Sequence, residues 1–142
     1  MGLRSDWMRR NGLTLLADGE RLVVVCRVDP GNPSSLFVAN SPYLYGAPNA
    51  GMAARIPPLA SLAVVLTDRR MLFARRRLIG PWMVEAEYTP DEVAEVDFKP
   101  ASFGNGTLYL TFADESVEIF SAPDRKGAAL LAAVAQRSDR RS

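Results

Sequence analysis

The chain contains no histidine and one cysteine, and its only lysines are Lys99 and Lys126. Without histidine there is no Ser-His-Asp triad, no imidazole base at neutral pH and no His-bearing zinc site. Carboxylate-only or lysine-only catalysis is chemically allowed, but no constellation of residues asks for it. The expectation is a protein that is not an enzyme and holds no cofactor and no metal. Cys26 can form neither an intrachain disulfide nor a cysteine cage. Flanked by Val24, Val25, Arg27 and Val28, it reads as a small buried hydrophobe in a strand. A net charge of +1 over 142 residues argues against a general nucleic-acid binder. No run reaches the roughly 18 apolar residues of a membrane span. The start, MGLRSDWMRRNG, lacks the apolar core of a signal peptide. One cytoplasmic domain is expected.

What is present is strand after strand. Ser5–Arg10 can form a short helix, broken by Asn11-Gly12. After the Asp18-Gly19 turn, RLVVVCRV (Arg21–Val28) places Leu22, Val24, Cys26 and Val28 on one face. From Asp29 to Ala60 the character changes, with prolines at 30, 33, 42, 48, 57 and 58 breaking any long helix or central strand. A connection this long is uncommon unless it is functional or covers something. Its aromatics Phe37, Tyr43 and Tyr45 favour an ordered cover with a docking role.

Six more strands follow: 61–67, 70–77, 81–88, 93–99, 106–112 and 116–121, separated by turn-forming residues. The Ser121–Asp124 stretch then starts a helix expected to run to about Gln136, with Leu130, Leu131 and Val134 on its inner stripe. Antiparallel strands joined by tight turns must curl or close to hide their edges, and a terminal helix can plug the open end.

The segments VVLTDRRMLFARRR, TPDEVAEVDF and GNGTLYLTFADESVEIFSAP resemble the successive hairpins of the bacterial pleckstrin-homology-like (PH-like) and GRAM-like domains. The resemblance spans roughly residues 14–137. It implies a mainly β fold, a seven-stranded antiparallel barrel or sandwich closed by a C-terminal α-helix, with a long insertion between the first two strands. The implied layout is an N-terminal extension over 1–19, the domain over 20–137 with its insertion at 29–60, and a polar tail at 138–142. In relatives that bind phosphoinositides, lysines and arginines commonly lie between the first two strands. Here that insertion holds only Arg55.

The densest charge is elsewhere, with five arginines between positions 69 and 77. Pairing the third and fourth strands so that positions sum to 160 sets Arg75 opposite Glu85, with Arg77 diagonal to it. The same register puts Leu72, Ala74, Ala86 and Tyr88 on one apolar face and Phe73 against Glu87. Such exposed pairs contribute only about 0.2–1 kcal/mol each, yet they cancel local field. Arg76 falls on the apolar face and must snorkel, find a buried partner or await an anion. Arg69 and Arg70 read as loop charges beside Asp68. Arg76, then Arg69 and Arg70, are therefore the candidate anion or lipid site. Asp91, Glu92, Glu95 and Asp97 lie along an extended segment and read as a solvated face, since a hard cation needs convergent oxygens.

Pairing Leu66 with Met71 and Val64 with Phe73 leaves the second and third strands apolar on both faces. A second cover is then required. It can come from the Trp7–Leu16 segment, the insertion or another copy of the chain, and intrachain cover is favoured. These features point to a binding or scaffold module for a protein partner or for its own copy. The candidate partner-binding residues are Phe37, Tyr43, Tyr45 and Phe73. The alternative is a peripheral module at the inner membrane face that reads anionic lipid through the 69–77 arginines.

Overall fold

The computed structural model describes residues 3–30, 51–57, 61–77, 79–101 and 105–141. Helix α1 (Leu3–Leu13) precedes seven strands. These are β1 (Leu22–Pro30), β2 (Leu62–Thr67), β3 (Met71–Arg75), β4 (Met83–Tyr88), β5 (Val93–Lys99), β6 (Gly106–Phe112) and β7 (Val117–Ala122). Helix α2 (Arg125–Arg141) follows. Every pairing is antiparallel, and the strands lie in the order β4-β3-β2-β1-β7-β6-β5. Strand β1 joins the two halves. Residues 22–28 pair with β2, while Asp29 and Pro30 pair with Ser121 and Phe120 of β7.

The expectation of a closed barrel needs correction. Strands β4 and β5 end the order and do not pair with each other, so the sheet is open. Helix α2 packs against β1 and β5 and covers the core between the halves. Asp124 starts this helix, its Oδ1 accepting from Gly127 N at 3.0 Å and its carbonyl from Ala128 N at 2.9 Å. Of the expected inner stripe, Leu131 is buried and Val134 packs against the core, whereas Leu130 is 52% exposed and Ala128 and Ala132 are buried instead. The helix also passes Gln136 and reaches Arg141, into the stretch expected to be a tail.

The β2–β3 register is as read from the sequence, with Val64 opposite Phe73 and Leu66 opposite Met71. The β3–β4 register is not. Phe73 pairs with Ala86 and Ala74 with Val84, so Glu85 bulges and the pairing slips. Met71, Phe73, Ala86 and Tyr88 therefore share the main core, and Leu72 and Ala74 face the other side with Trp82. A second irregularity, between Val93 and Glu95, turns Val93 onto the core and leaves Ala94 exposed.

The outer face of β2 and β3 is covered by the N-terminal segment. Met8, Ala63, Val65, Leu72, Ala74 and Trp82 form a second buried cluster, with Trp7, Leu15, Leu16, Leu22 and Val25 packed against it. Trp7 meets Trp82 edge-on at 5.6 Å between ring centroids. Asn11-Gly12 does not break α1, which continues to Leu13. Asn11 Nδ2 donates to the Trp7 carbonyl at 2.8 Å. A Cβ at Gly12 would stand 2.9 Å from Val25 Cγ2, so the glycine lets the helix lie close on β1.

Residues 51–57 are the described part of the connection from β1 to β2. A short 3-10 turn, Gly51–Arg55, seals the core where β4 passes into β5, burying Ala53 and Ile56. Met52 N donates to Asp114 Oδ2 at 2.7 Å, Ala53 N to Ser116 Oγ at 3.1 Å, and the Tyr88 hydroxyl to the Met52 carbonyl. Gly51 has φ +60°, and a Cβ there would overlap Asp114 Oδ2. Gly51→Ala combines left-handed strain with displacement of that carboxylate. It should lower stability by about 2 kcal/mol in urea unfolding, whereas an unchanged midpoint would show that the turn does not help hold the core together.

Candidate interaction site on the β2–β3–β4 hairpins

The arginines that drew attention in the sequence divide between the two ends of β3. At the β2–β3 turn, Arg70 is not a solvated loop charge. Its Nε and Nη2 donate to Glu20 Oε2 and Oε1, each at 2.8 Å, and Nη1 pairs with Glu87 Oε1. Nη2 also donates to the Leu15 carbonyl at 3.3 Å. The Glu20 side chain is wholly buried and also accepts from Thr67 Oγ1 at 2.6 Å and Ala17 N at 2.9 Å. The Arg70 hydrogen bonds hold the Glu20 carboxyl at about 2 against the desolvation that would raise it, with Thr67 and Ala17 adding to the effect. Glu20 in turn raises the pKa of Arg70.

This cluster ties the connection after α1 to the β2–β3 turn and to β4. Asp68 adds a second tie, exchanging bonds with Arg21: Arg21 N donates to Asp68 Oδ1 and Asp68 N to the Arg21 carbonyl, both at 3.0 Å. Arg69 is exposed, and its amide donates to Thr67 Oγ1 at 3.1 Å.

At the other end of β3, Arg76 is half-buried. Its Nη2 donates to Ser61 Oγ at 2.6 Å, and Ser61 Oγ donates to Asp29 Oδ1 at 2.6 Å. Asp29 also takes Arg27 Nε at 3.3 Å. Ser61 thus links the Arg76 guanidinium by hydrogen bonds to the carboxylate near the end of β1. Six residues of extended chain separate Arg70 from Arg76, about 20 Å. Arg69, Arg70 and Arg76 are therefore not brought together on one ligand-sized site.

Arg75 does meet Glu85, with Nε 2.8 Å from Oε1. The bulge at Glu85 allows it even though Arg75 pairs with Met83 in the ladder. Beyond this pair the hairpin tip is exposed: Arg77, Gly80 and Pro81 are open to solvent, Ile79 is 90% exposed, and Met83 and Val84 are exposed nearby. At the tip Arg77 Nη2 donates to Met83 Sδ at 2.7 Å, while Met83 and Val84, successive residues of β4, point to opposite faces.

Phe73, expected to contact a partner, is fully buried, stacked on Phe120 and edge-on to Tyr88 at 5.7 Å each. It belongs to the core because the β3–β4 slip brings Ala86 and Tyr88 onto its face of the sheet. Phe37, Tyr43 and Tyr45 lie outside the described residues. Arg55 is engaged by Glu92 Oε2 at 2.9 Å and lies over the Tyr88 ring at 5.2 Å. Glu92 also accepts from Thr89 N at 3.0 Å. Cys26 is buried, and burial pushes its thiol up to about 12, so it is inert in the fold. Among the described residues no group of three or more Cys, Asp or Glu could hold a metal ion, and no helix is long and apolar enough to cross a membrane.

Two carboxylates went unremarked in the sequence. Glu20 precedes its strand and looks like an ordinary turn acid. Its burial follows only from the 47-residue return of Thr67 beside it. Glu118 carries a faint signal: in SVEIFS it shares parity with Phe120, an inward residue, so an acid stands where alternation asks for an apolar side chain.

Arg70→Met leaves the Glu20 charge buried without its partner and should cost about 3 kcal/mol or more, read from urea midpoints. Glu20→Gln combined with Arg70→Met should recover part of that loss. Additive losses would show that the two are not coupled. Because the Glu20 pKa is depressed, its contribution is complete above the ordinary 4.5 and is lost as pH falls from there through about 2. Acid unfolding of the wild type should therefore be steeper in that window than that of Glu20→Gln. Neither a protein-family model nor a curated protein sequence matches this chain.

Proposed function

We propose that the chain is a non-enzymatic binding or scaffold module of PH-like architecture, and that it docks an apolar, acidic segment of a protein partner on the tip of the β3–β4 hairpin. The PH-like reading is supported by the order of two hairpin sets followed by a helix laid across the gap between them. A shared architecture does not fix a function, which lies in the chemistry of the site. The observation that carries the site is the hairpin tip, where Ile79 is 90% exposed and Arg77 Nη2 lies on the exposed Met83 at 2.7 Å from Sδ. An exposed apolar side chain at a protruding point, with a cation beside it, can serve as an anchor for a partner.

Strand addition along β4 is the less favoured mode. The Glu85 bulge and the outward Glu85 and Glu87 are edge-blunting features, so side-chain docking at the tip is preferred. The alternative, an anionic lipid surface read through Arg69, Arg70 and Arg76, needs three available cations on one side. Arg70 is committed to Glu20 and Glu87, and Arg76 stands at the far end of β3.

A random-sequence peptide display library selected on the intact chain tests the proposal. Enriched peptides should combine apolar and acidic residues, and Ile79→Glu or Met83→Glu should weaken their binding at least tenfold while the urea midpoint holds. Peptides that ignore both substitutions would move the site elsewhere. Sedimentation of the chain with anionic but not zwitterionic vesicles, abolished by charge reversal at Arg69 and Arg76, would replace the protein reading with the lipid one. Self-association lost in Ile79→Glu would identify the partner as a second copy.

A further inference from the structure

Strand β7 places one carboxylate on the wrong side of the sheet. Ser116, Phe120 and Ala122 face inward and are buried, and Glu118 lies between them with the same parity, opposite the buried Leu110 of β6. Its Oε2 is buried and has no hydrogen-bond partner. Two residues before it, Ser116 Oγ accepts from Ala53 N, one of the bonds that seat the 51–56 turn. On the β4 side stands Tyr88, within reach of the Glu118 charge, whose hydroxyl donates to the carbonyl of Met52.

We propose that Glu118 makes the seating of the 51–56 turn depend on pH, so that the turn is held firmly in mild acid and released more readily at neutral pH and above. An ionised carboxylate with a buried oxygen and no donor must recruit water or bear the cost of desolvation. Water reaches that oxygen most easily by displacing an element that can leave without breaking a ladder. The 51–56 turn, bonded to Ser116 two residues from Glu118 and to Tyr88, is such an element. It is fastened by Met52 N to Asp114, Ala53 N to Ser116, Tyr88 to Met52 and Arg55 to Glu92, whereas β4, β6 and β7 are held by strand pairing.

The surroundings of Glu118 offer little compensation. The titratable and charged groups around Tyr88 at this end of the core are Arg55 on the turn, Glu92 after β4 and Asp114 after β6. Arg55 is already paired with Glu92. The residues that α2 and β1 turn into the core are Ala128, Leu131, Ala132, Val24, Cys26 and Val28, none of them charged at neutral pH. Burial accordingly pushes the Glu118 carboxyl up to about 7, against the weaker opposing effect of a backbone hydrogen bond from Ile119. Glu92 and Asp114 are held below their ordinary values by their own hydrogen bonds, so their shifts are opposite in direction to that of Glu118.

The sign follows from linkage. A carboxyl raised from 4.5 to about 7 keeps its proton longer in the closed form than in an opened, hydrated one. Opening therefore becomes easier as pH rises from about 4.5 to about 7 and is constant above it, by as much as about 300-fold if opening fully hydrates Glu118.

Amide hydrogen exchange of Met52 and Ala53, corrected for the intrinsic rate, tests this on the whole chain. The opening constant should climb through the stated window and level off, and Glu118→Gln should flatten the profile. Glu118→Leu is the second variant if the amide is not tolerated, with the same flat profile expected. The wild-type Glu118 carboxyl carbon, followed by NMR, should titrate with the midpoint at which exchange levels off. A flat wild-type profile, or a slope that survives either substitution, overturns the proposal.

Discussion

The structure depends on a hairpin that is apolar on both sides. Strands β2 and β3 bury Leu62, Val64, Met71 and Phe73 on one face and Ala63, Val65, Leu72 and Ala74 on the other. A sheet with two apolar faces needs two covers. The β5–β7 half, together with α2, supplies the first by folding over the inner face around β1. Helix α1 supplies the second. The N-terminal segment therefore works as a layer of the domain, and of the covers open to the sequence, Trp7–Leu16 is one the packing uses.

What fastens that layer is a charge cluster that looks, in the sequence, like a basic surface patch. Arg70 spans three separate stretches of chain: the Leu15 carbonyl, the buried Glu20 and the exposed Glu87. A fork of guanidinium donors is well suited to this, because it presents several N–H groups in fixed directions. Glu20 returns the favour by accepting from Thr67 and Ala17 as well, so every lone pair aimed at a donor is used. Such an arrangement contributes to stability chiefly in the negative sense, since losing either partner strands a buried charge. The same principle at the other end of the core gives the opposite outcome: the half-buried Glu118 has one oxygen buried without a donor, which is the basis of the proposed pH dependence there.

Much of the fold was legible because alternation and turn chemistry agree over most of its length. The second and third strands are joined by a tight turn at Asp68 and Arg69, so Leu66 and Met71 had to face each other. The β3–β4 pairing was not legible, because the extra residue at Glu85 is inserted within a strand whose period otherwise reads cleanly. A slip of one residue exchanges faces; that is why Ala86 and Tyr88 join Phe73 in the core, where a contact surface was supposed. The arginine pairings were half legible. Arg75 and Glu85 are close in sequence across one turn, whereas Glu20 and Arg70 are 50 residues apart and nothing local announces them. Openness of the sheet was hidden as well, since seven alternating segments are compatible with closure or with a helix laid across the gap.

Function follows from what these constraints leave over. With Arg70 and Arg76 engaged and Phe73 buried, the tip around Ile79 is, among the described residues, one exposed apolar surface that the packing leaves over, alongside Leu13, Val23 and Leu130. Everything rests, however, on α1 being the second cover of the β2–β3 hairpin. Removing residues 1–16 and measuring binding of a hydrophobic dye together with sedimentation tests this most directly. The account predicts strong dye binding and concentration-dependent association of the shortened chain, with the intact chain showing little of the dye signal. A shortened chain that stays monomeric, binds no more dye and unfolds at the same urea concentration would contradict it.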